Sequence, residues 1–239
     1  MHPYIMFSLF LFLPAMMLAM WIQNDVKSIF DKYSKVTTRN GSTAAEAANM
    51  ILQRSGLLHI HVNRGAGHLA DHYDTEQRVI RLSESVYGSI SIASIGVAAH
   101  ECGHAIQHNL GSSAFLMMKN SIVPAINLCA NFALPLFVIG LLGSVGFMTP
   151  DGAVGFMTFG MMLFTGVIIF HLVTLPIEFN ASSRALTMLH STGALSQGEL
   201  VRARAVLRAV AWTYIAATMT AFTHSLRVIM LRHKKKVKW

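Results

Sequence analysis

A long apolar run in the second half of the chain constrains the fold more than any other feature. Between Lys119 and Arg184 there is no Lys or Arg, and the only acidic residues are Asp151 and Glu178. Soluble domains typically contain about a quarter charged residues, whereas this chain of 239 residues has 13% charged and 53% hydrophobic residues. The sequence therefore predicts an integral membrane protein.

Three apolar segments are each close to the ~20 residues that a helix needs to cross a bilayer. The first covers residues 4–22, and the absence of Lys or Arg before it argues against a secretory signal peptide. The other two, at about 121–142 and 153–175, form a predicted hairpin. A fourth segment, 209–231, is interrupted by polar residues, so it either spans the membrane or packs along the rest of the protein.

The stretch His100-Glu101-Cys102-Gly103-His104 follows the H-E-x-x-H pattern of zinc peptidases. Residues 91–111 are rich in alanine, lack proline and end at Gly111, which predicts a helix. Positions four apart on a helix differ by about 40°, so His100 and His104 project from one face. Glu101 is then placed as the general base that activates a zinc-bound water. A chance match to the pattern is the alternative.

A catalytic zinc takes a third protein ligand. It is not a histidine at the H-E-x-x-H-x-x-G-x-x-H spacing, because Leu110 stands there. Asp151 lies in a Pro-Asp-Gly turn signal. Glu178 follows a long apolar run, where a lone carboxylate is costly unless it is paired, protonated or bound to metal. Glu178 is therefore favoured, and the alternative is an interfacial glutamate that snorkels or pairs with Arg184.

The predicted topology is consistent with this ligand. Residues 23–120 follow one span and Glu178 follows three, so the histidines and Glu178 emerge on the same side of the membrane. That side is rich in Lys and Arg near the spans, whereas the loop at 143–152 has none. By the positive-inside rule, we expect the bacterial cell (inner) membrane, with the site facing the cytoplasm.

The net charge of +8 does not indicate nucleic-acid binding. The basic residues cluster beside membrane segments and in the tail, without an aromatic platform or a recognised motif, so the bilayer and its anionic lipids are the expected partner. Cys102 and Cys129 form no disulfide framework. Cys102 lies about 200° from His100 on the helix, which points its thiol away from a metal.

The region before the motif predicts a small α+β unit. Thr43-Ala-Ala-Glu46 has the pattern of a capping box that begins a helix. The alternation in Leu58–Val62 predicts a strand, and Arg78–Ser83 predicts a second one. We expect the strand nearest the motif helix to bind a substrate backbone at its edge.

The predicted fold class is α+β, mainly α, with transmembrane helices joined to a small catalytic unit. The predicted organisation is an anchor at 1–22, a catalytic unit at 23–120, a transmembrane hairpin at 121–175, a third-ligand helical segment at 176–208, and an apolar helix with a basic tail at 209–239.

Several separated motifs resemble the YugP-like group of membrane-bound neutral zinc metallopeptidases, over nearly the whole chain. The resemblance implies a gluzincin-like catalytic unit with zinc ligands His100, His104 and Glu178, and with Glu101 as the base. The motifs, in chain order, are His72–Asp74, Arg81–Ser83, Val86–Tyr87, Ser91–Ala93, Ala98–His108 and Leu175–Ser182.

One position departs from the pattern of the wider group. Glu178-x-x-Ala181-Ser182 resembles the E-x-x-A-D of membrane-associated gluzincin peptidases, with Ser182 in place of the aspartate. That aspartate would orient a zinc histidine. A serine can do so only through a neutral hydrogen bond.

The sequence favours a zinc metalloendopeptidase that uses Zn²⁺ to hydrolyse peptide bonds of protein or peptide substrates at the membrane surface. A catalytically silent zinc-binding scaffold or regulatory protein is the alternative, although a structural zinc site needs no base such as Glu101. A small-molecule zinc hydrolase is the third hypothesis. Candidates by chemistry for the oxyanion donor are Tyr73, Tyr87, His72, Arg184, Tyr214 and His224, and Gln107 and His108 are placed near the rim of the site.

Overall fold

The computed structural model describes residues 3–65, 71–111, 113–143, 148–209 and 211–212. This part is mainly helical with one three-stranded sheet, which agrees with the predicted fold class. It divides into two compact units. The hairpin unit contains the described residues of 3–23 and 122–174, and the motif unit contains those of 24–121 and 175–212.

The elements follow one another along the chain with short connections. In order, they are α1 (Pro3–Ser34), α2 (Ala44–Arg54), β1 (His61–Gly65), β2 (His72–Asp74), β3 (Val79–Ser83), α3 (Glu84–Tyr87), α4 (Ile92–Asn109), α5 (Ser113–Gly143) and α6 (Pro150–Ser191). A further helical segment covers 197–209 and 211–212.

Two helices of the described part are long and apolar enough to cross a membrane, at Leu116–Gly143 in α5 and Asp151–Ser191 in α6. Only 17% and 22% of their most apolar windows are buried by protein, so most of these side chains remain available to lipid. The predicted span at 4–22 lies on α1, where most side chains fall outside the described ones, and it stays a prediction.

Small residues bring α5 and α6 close together within the hairpin unit. A Cβ added to Gly140 would lie 2.7 Å from the carbonyl oxygen of Ala153, and one on Gly160 would lie 2.7 Å from that of Ala133. Glycine and alanine at such positions let membrane helices pack backbone against backbone. The two helices therefore contact each other through these small residues, and a larger side chain at either glycine would clash with the backbone of the other helix.

Helix α6 differs from the predicted boundaries at both ends of its apolar part. It begins at Pro150, so the Pro-Asp-Gly sequence starts a helix instead of forming a turn. Proline at the first helical position and Asp151 in the first turn both favour a helix N-terminus. The helix then continues through Pro176 to Ser191 without a break, so the apolar run and Glu178 share one helix of 42 residues.

The predicted capping box is confirmed in α2. Thr43 Oγ1 accepts from the backbone N–H of Glu46, and the Glu46 carboxylate accepts from the N–H of Thr43. Helices α2 and α4 pack on each other in the core of the motif unit. Cys102 is fully buried there, with Sγ 3.6 Å from the carbonyl oxygen of Ala48, so its thiol packs against α2. Burial raises the pKa of the Cys102 thiol.

The sheet corrects two predictions. Its order is β1-β3-β2, with β1 parallel and β2 antiparallel to β3. The first strand begins at His61 instead of Leu58, because a turn that bonds the Ile60 N–H to the Leu57 carbonyl precedes it. The predicted second strand is β3, which is central and paired on both sides. It is therefore not the edge that we expected to bind substrate, and the edges are β1 and the unpredicted β2.

Glu199 attaches the C-terminal helical segment to the rest of the motif unit. Its carboxylate accepts from the N–H and hydroxyl of Ser196 and from the N–H of Arg39, at 2.6 to 2.8 Å. Burial raises the pKa of this carboxyl, but the hydrogen bonds from Ser196 and Arg39 outweigh burial and hold it below its usual value. The predicted segment 209–231 and the basic tail lie outside the described residues beyond 212.

We expect Glu199→Gln to lower the free energy of unfolding at pH 7 by about 1–3 kcal/mol, because a buried charged acceptor is lost. Because the pKa of Glu199 is lower in the native state, its ionised carboxylate stabilises the native state above the pKa of the unfolded carboxyl. This contribution is lost as the pH falls through the native pKa. Thermal unfolding in detergent between pH 3 and 7 measures the stability of the variant and of the wild type. The difference between the variant and the wild type should shrink at acid pH, and a constant difference would contradict the assignment.

Candidate metal centre

Helix α4 carries both histidines of the motif. Its first turn is capped by Ser91, whose hydroxyl accepts from the N–H of Ser94. His100 and His104 are nearly buried, at 9% and 5% exposure, and their ring centroids lie 4.7 Å apart. The helical spacing predicted from the sequence therefore places both imidazoles on one protected face.

Glu178 of α6 meets these histidines. Its Oε2 lies 3.1 Å from Nε2 of His100 and 3.6 Å from Nε2 of His104, and the three ligand atoms all lie within 4.8 Å of one another. A tetrahedral zinc with ligand bonds of about 2.0–2.2 Å separates its ligand atoms by about 3.3 Å. The donor set and its spacing fit a zinc ion that has two nitrogen ligands and one carboxylate ligand.

The crossing of α4 and α6 depends on Gly103. A Cβ at this position would lie 2.3 Å from the carbonyl oxygen and 2.9 Å from the carbonyl carbon of Ala181. Because the obstacle is backbone, no side-chain rotation would relieve the clash. Glycine inside the motif thus lets the two helices approach closely enough for Glu178 to reach the histidines.

The Nδ1 atom of His100 lies 3.1 Å from the hydroxyl of Ser182. This is the position at which the wider gluzincin pattern has an aspartate. The serine therefore makes the neutral hydrogen bond that the sequence allowed, and it can hold the ring while Nε2 faces Glu178.

A chain of hydrogen bonds orients His104. Gln107 Oε1 lies 3.0 Å from Nδ1 of His104, and Gln107 Nε2 donates to the carbonyl of Ile177 and to Asn180 Oδ1, both at 2.9 Å. Arg184 Nε donates to the same Asn180 oxygen at 2.7 Å. Because a guanidinium can only donate, Asn180 must accept and Gln107 must present its oxygen to His104. His104 therefore carries its proton on Nδ1, which leaves the Nε2 lone pair for a metal.

Glu101 is also nearly buried, at 9% exposure. Its Oε2 accepts from the backbone N–H of Tyr73 at 2.9 Å, a contact that holds the carboxylate against β2. Tyr73 belongs to β2, the strand that the sequence did not predict. Its hydroxyl lies 2.8 Å from Nδ1 of His108, so β2 and α4 are joined at two points.

The other residues that the sequence offered as oxyanion donors differ in exposure and in their contacts. His72 is exposed on β2, Tyr87 ends α3 with the Arg64 guanidinium over its ring, and Arg184 is bonded to Asn180. Tyr214 and His224 fall outside the described residues. Gln107 and His108, predicted near the rim, make the contacts given above.

The chain is similar to known proteins over most of its length. A family described as "Putative neutral zinc metallopeptidase" matches residues 8–233. The "Putative membrane protease YugP" of Bacillus subtilis (strain 168) is 41% identical over 226 residues, which cover 95% of this chain and 96% of that protein. No solved structure shows a significant match.

We expect Gly103→Ala to abolish stoichiometric zinc binding although every ligand is retained, because the methyl group forces α4 away from α6. Metal analysis of the purified protein measures this. Gly96→Ala is the matched control, since a Cβ there meets nothing within 4 Å on the same helix and alanine favours helix formation. Equal zinc content in the two variants would show that the helix contact does not set the site.

We expect Gln107→Leu to weaken zinc binding by about 10- to 100-fold, the usual cost of losing a group that orients a metal ligand. The substitution keeps the size of the side chain and removes the acceptor of the His104 proton. Competition with a chelator gives the dissociation constant. Gln53→Leu, on the exposed face of α2, controls for the substitution itself, and an unchanged constant in Gln107→Leu would contradict the orienting role.

Proposed function

Because the chain belongs to the family described as "Putative neutral zinc metallopeptidase", we propose that it is a membrane-bound, zinc-dependent endopeptidase that hydrolyses peptide bonds of protein substrates at the membrane surface. The observation that carries the proposal is the buried convergence of His100, His104 and Glu178. Glu101, the nearly buried residue next to His100 in the chain, is held by the N–H of Tyr73. A structural zinc site would need no such carboxylate.

His100 and His104 would hold a zinc ion through Nε2, and Glu178 would hold it through its carboxylate. A zinc ion bound there would supply Lewis-acid chemistry, namely polarisation of a water molecule and of the scissile carbonyl group. Glu101 takes the proton of the attacking water and passes it to the leaving amine, and the N–H of Tyr73 keeps its carboxylate aimed during both transfers. The apolar residues around the site exclude bulk water and strengthen these electrostatic interactions.

The location follows from the apolar helices and from the charge distribution. We place α5 and α6 across the bacterial cell (inner) membrane and the site on the cytoplasmic face, where the basic residues near the spans accumulate. The relative named as a membrane protease supports a membrane location. The partners in this proposal are the lipid bilayer and a protein or peptide substrate, and nucleic acid is not among them.

Two substitutions test the proposal. We expect Glu101→Gln to retain zinc and to lose at least about 10²-fold in cleavage, because it removes the base without removing a ligand. We expect Glu178→Ala to lose stoichiometric zinc, because two histidines alone leave the site incomplete. The measurements are metal content, cleavage of fluorescent casein by the detergent-solubilised protein, and mass spectrometry of membrane proteins that accumulate in cells carrying Glu101→Gln.

Glu84→Gln is the matched control, since Glu84 is an exposed acid of the same unit that pairs with Arg64. It should keep both zinc and activity. Zinc binding by Glu101→Gln with cleavage of all polypeptides unchanged would overturn the peptidase assignment. Full metal retention in Glu178→Ala would exclude Glu178 as the third ligand.

A further inference from the structure

A cleft of about 450 Å³ opens on the motif unit next to the candidate metal centre. Its α4 wall includes Ala105 and His108, which follow Glu101 at spacings of four and seven residues and therefore share its helix face. Tyr73 forms another part of the wall, and its backbone N–H holds Glu101. The cleft thus lies on the face of the motif helix to which Glu101 also belongs.

The polar lining of the cleft is cationic or neutral. It consists of His59, Tyr73, Arg78, His108 and Asn109, and no acidic side chain contributes among the described residues. Within the same part of the chain, no carboxylate pairs with Arg78, whereas Arg64 and Arg81 pair with Glu84 and Asp74. A guanidinium without a partner at the wall of a cleft is suited to an anionic ligand.

The backbone at Arg78 supports a role for its side chain. Its φ of 53° is the one left-handed value at a residue other than glycine in the described part. This conformation is unfavourable for a residue with a Cβ, and glycine would adopt it freely. The connection from β2 to β3 therefore contains an arginine where the backbone itself favours glycine.

The charge of Arg78 also affects the pKa values of two neighbours in the cleft. Burial lowers the pKa of His108, and the Arg78 guanidinium lowers it further. Burial raises the pKa of Tyr73, which Arg78 partly opposes. His108 and Tyr73 are therefore uncharged at neutral pH, so the fixed positive charge in the lining belongs to Arg78.

We propose that this cleft binds a carboxylate group of the peptide substrate, with Arg78 as its charge partner. The proposal rests on the proposed peptidase function and adds a substrate class to it. Seven helical residues separate Glu101 from His108 by about 10 Å, the length of about three residues of an extended peptide. The carboxylate therefore lies about three residues from the scissile bond. It belongs either to an Asp or Glu side chain or to the C-terminus of the substrate.

Equilibrium binding tests the cleft without requiring cleavage. The probes are fluorescein-labelled, alanine-rich nonapeptides of three kinds: a central Glu with an amidated C-terminus, a central Gln with an amidated C-terminus, and a central Gln with a free C-terminus. Their anisotropy is titrated with zinc-loaded, full-length Glu101→Gln protein in detergent. We expect at least one carboxylate-bearing peptide to bind about tenfold more tightly than the neutral peptide, and the peptide that does so identifies the source of the carboxylate.

Adding Arg78→Gly to this background should abolish the preference and leave the affinity for the neutral peptide unchanged, because glycine suits the left-handed backbone. Arg64→Gln is the control, since it removes one positive charge outside the cleft. Equal affinities for all three peptides, or a preference that persists in Arg78→Gly, would overturn the proposal.

Two further outcomes separate the proposals from each other. Binding of phosphatidylglycerol vesicles that depends on Arg78, with no peptide preference, would assign the cleft to a lipid headgroup and overturn the substrate assignment. Absence of cleavage by the wild type, together with an Arg78-dependent carboxylate preference, would overturn the peptidase function while retaining the cleft as a carboxylate site.

Discussion

The close approach of the α4 and α6 backbones at Gly103 and Ala181 determines how the ligand groups of the candidate metal centre converge. Two ligands come from one helix and the third from another, so the ligand atoms converge only if the helices nearly touch. The side chains of His100, His104 and Glu178 have fixed lengths, and zinc accepts ligand bonds within a narrow range. A displacement as small as one methyl group would exceed that range. The small residues inside both motifs are therefore as necessary to the site as the ligands.

Neutral groups hold both histidines. Ser182 faces Nδ1 of His100, and the amide of Gln107 faces Nδ1 of His104. Carboxylates in these positions would add negative charge beside the metal and make the imidazoles stronger donors. The carboxylate that meets the histidine Nε2 atoms is that of Glu178. The zinc site proposed above would consequently keep more of the positive charge of its ion, which favours polarisation of a carbonyl.

The sequence predicted the parts of the site that follow from local periodicity and from the energetics of burial. The helix spacing of His100 and His104 and the cost of a carboxylate after an apolar run led to the three groups that the structure brings together. The capping box of α2 was equally local. Contacts between distant segments could not be derived in this way. Nothing adjacent to Gln107 indicates that its amide meets residues of α6, and the three residues of β2 are too few to show an alternating pattern.

The errors in the predicted strands and in the predicted turn also arise because a local pattern does not reveal how a segment pairs or continues. Leu58–Val62 alternates like a strand, yet the chain completes a turn at Leu57–Ile60 before it can pair, so the strand begins later. The Pro-Asp-Gly sequence is compatible with both a turn and a helix N-terminus, and the helix that follows it decides between them. The central position of β3 depends on β2, which only the tertiary structure reveals.

The separation of the ligands along the chain has a consequence for biogenesis. His100 and Glu178 are 78 residues apart, and the helix pair that we place in the membrane lies between them. A nascent chain that has exposed its H-E-x-x-H helix still lacks the third ligand, and closing such a long loop without an ordered hairpin is entropically unfavourable. The proposed zinc site would therefore be complete only after the hairpin has folded. The proposed protease would be inactive during its own synthesis, and a product truncated before Glu178 would lack the third ligand.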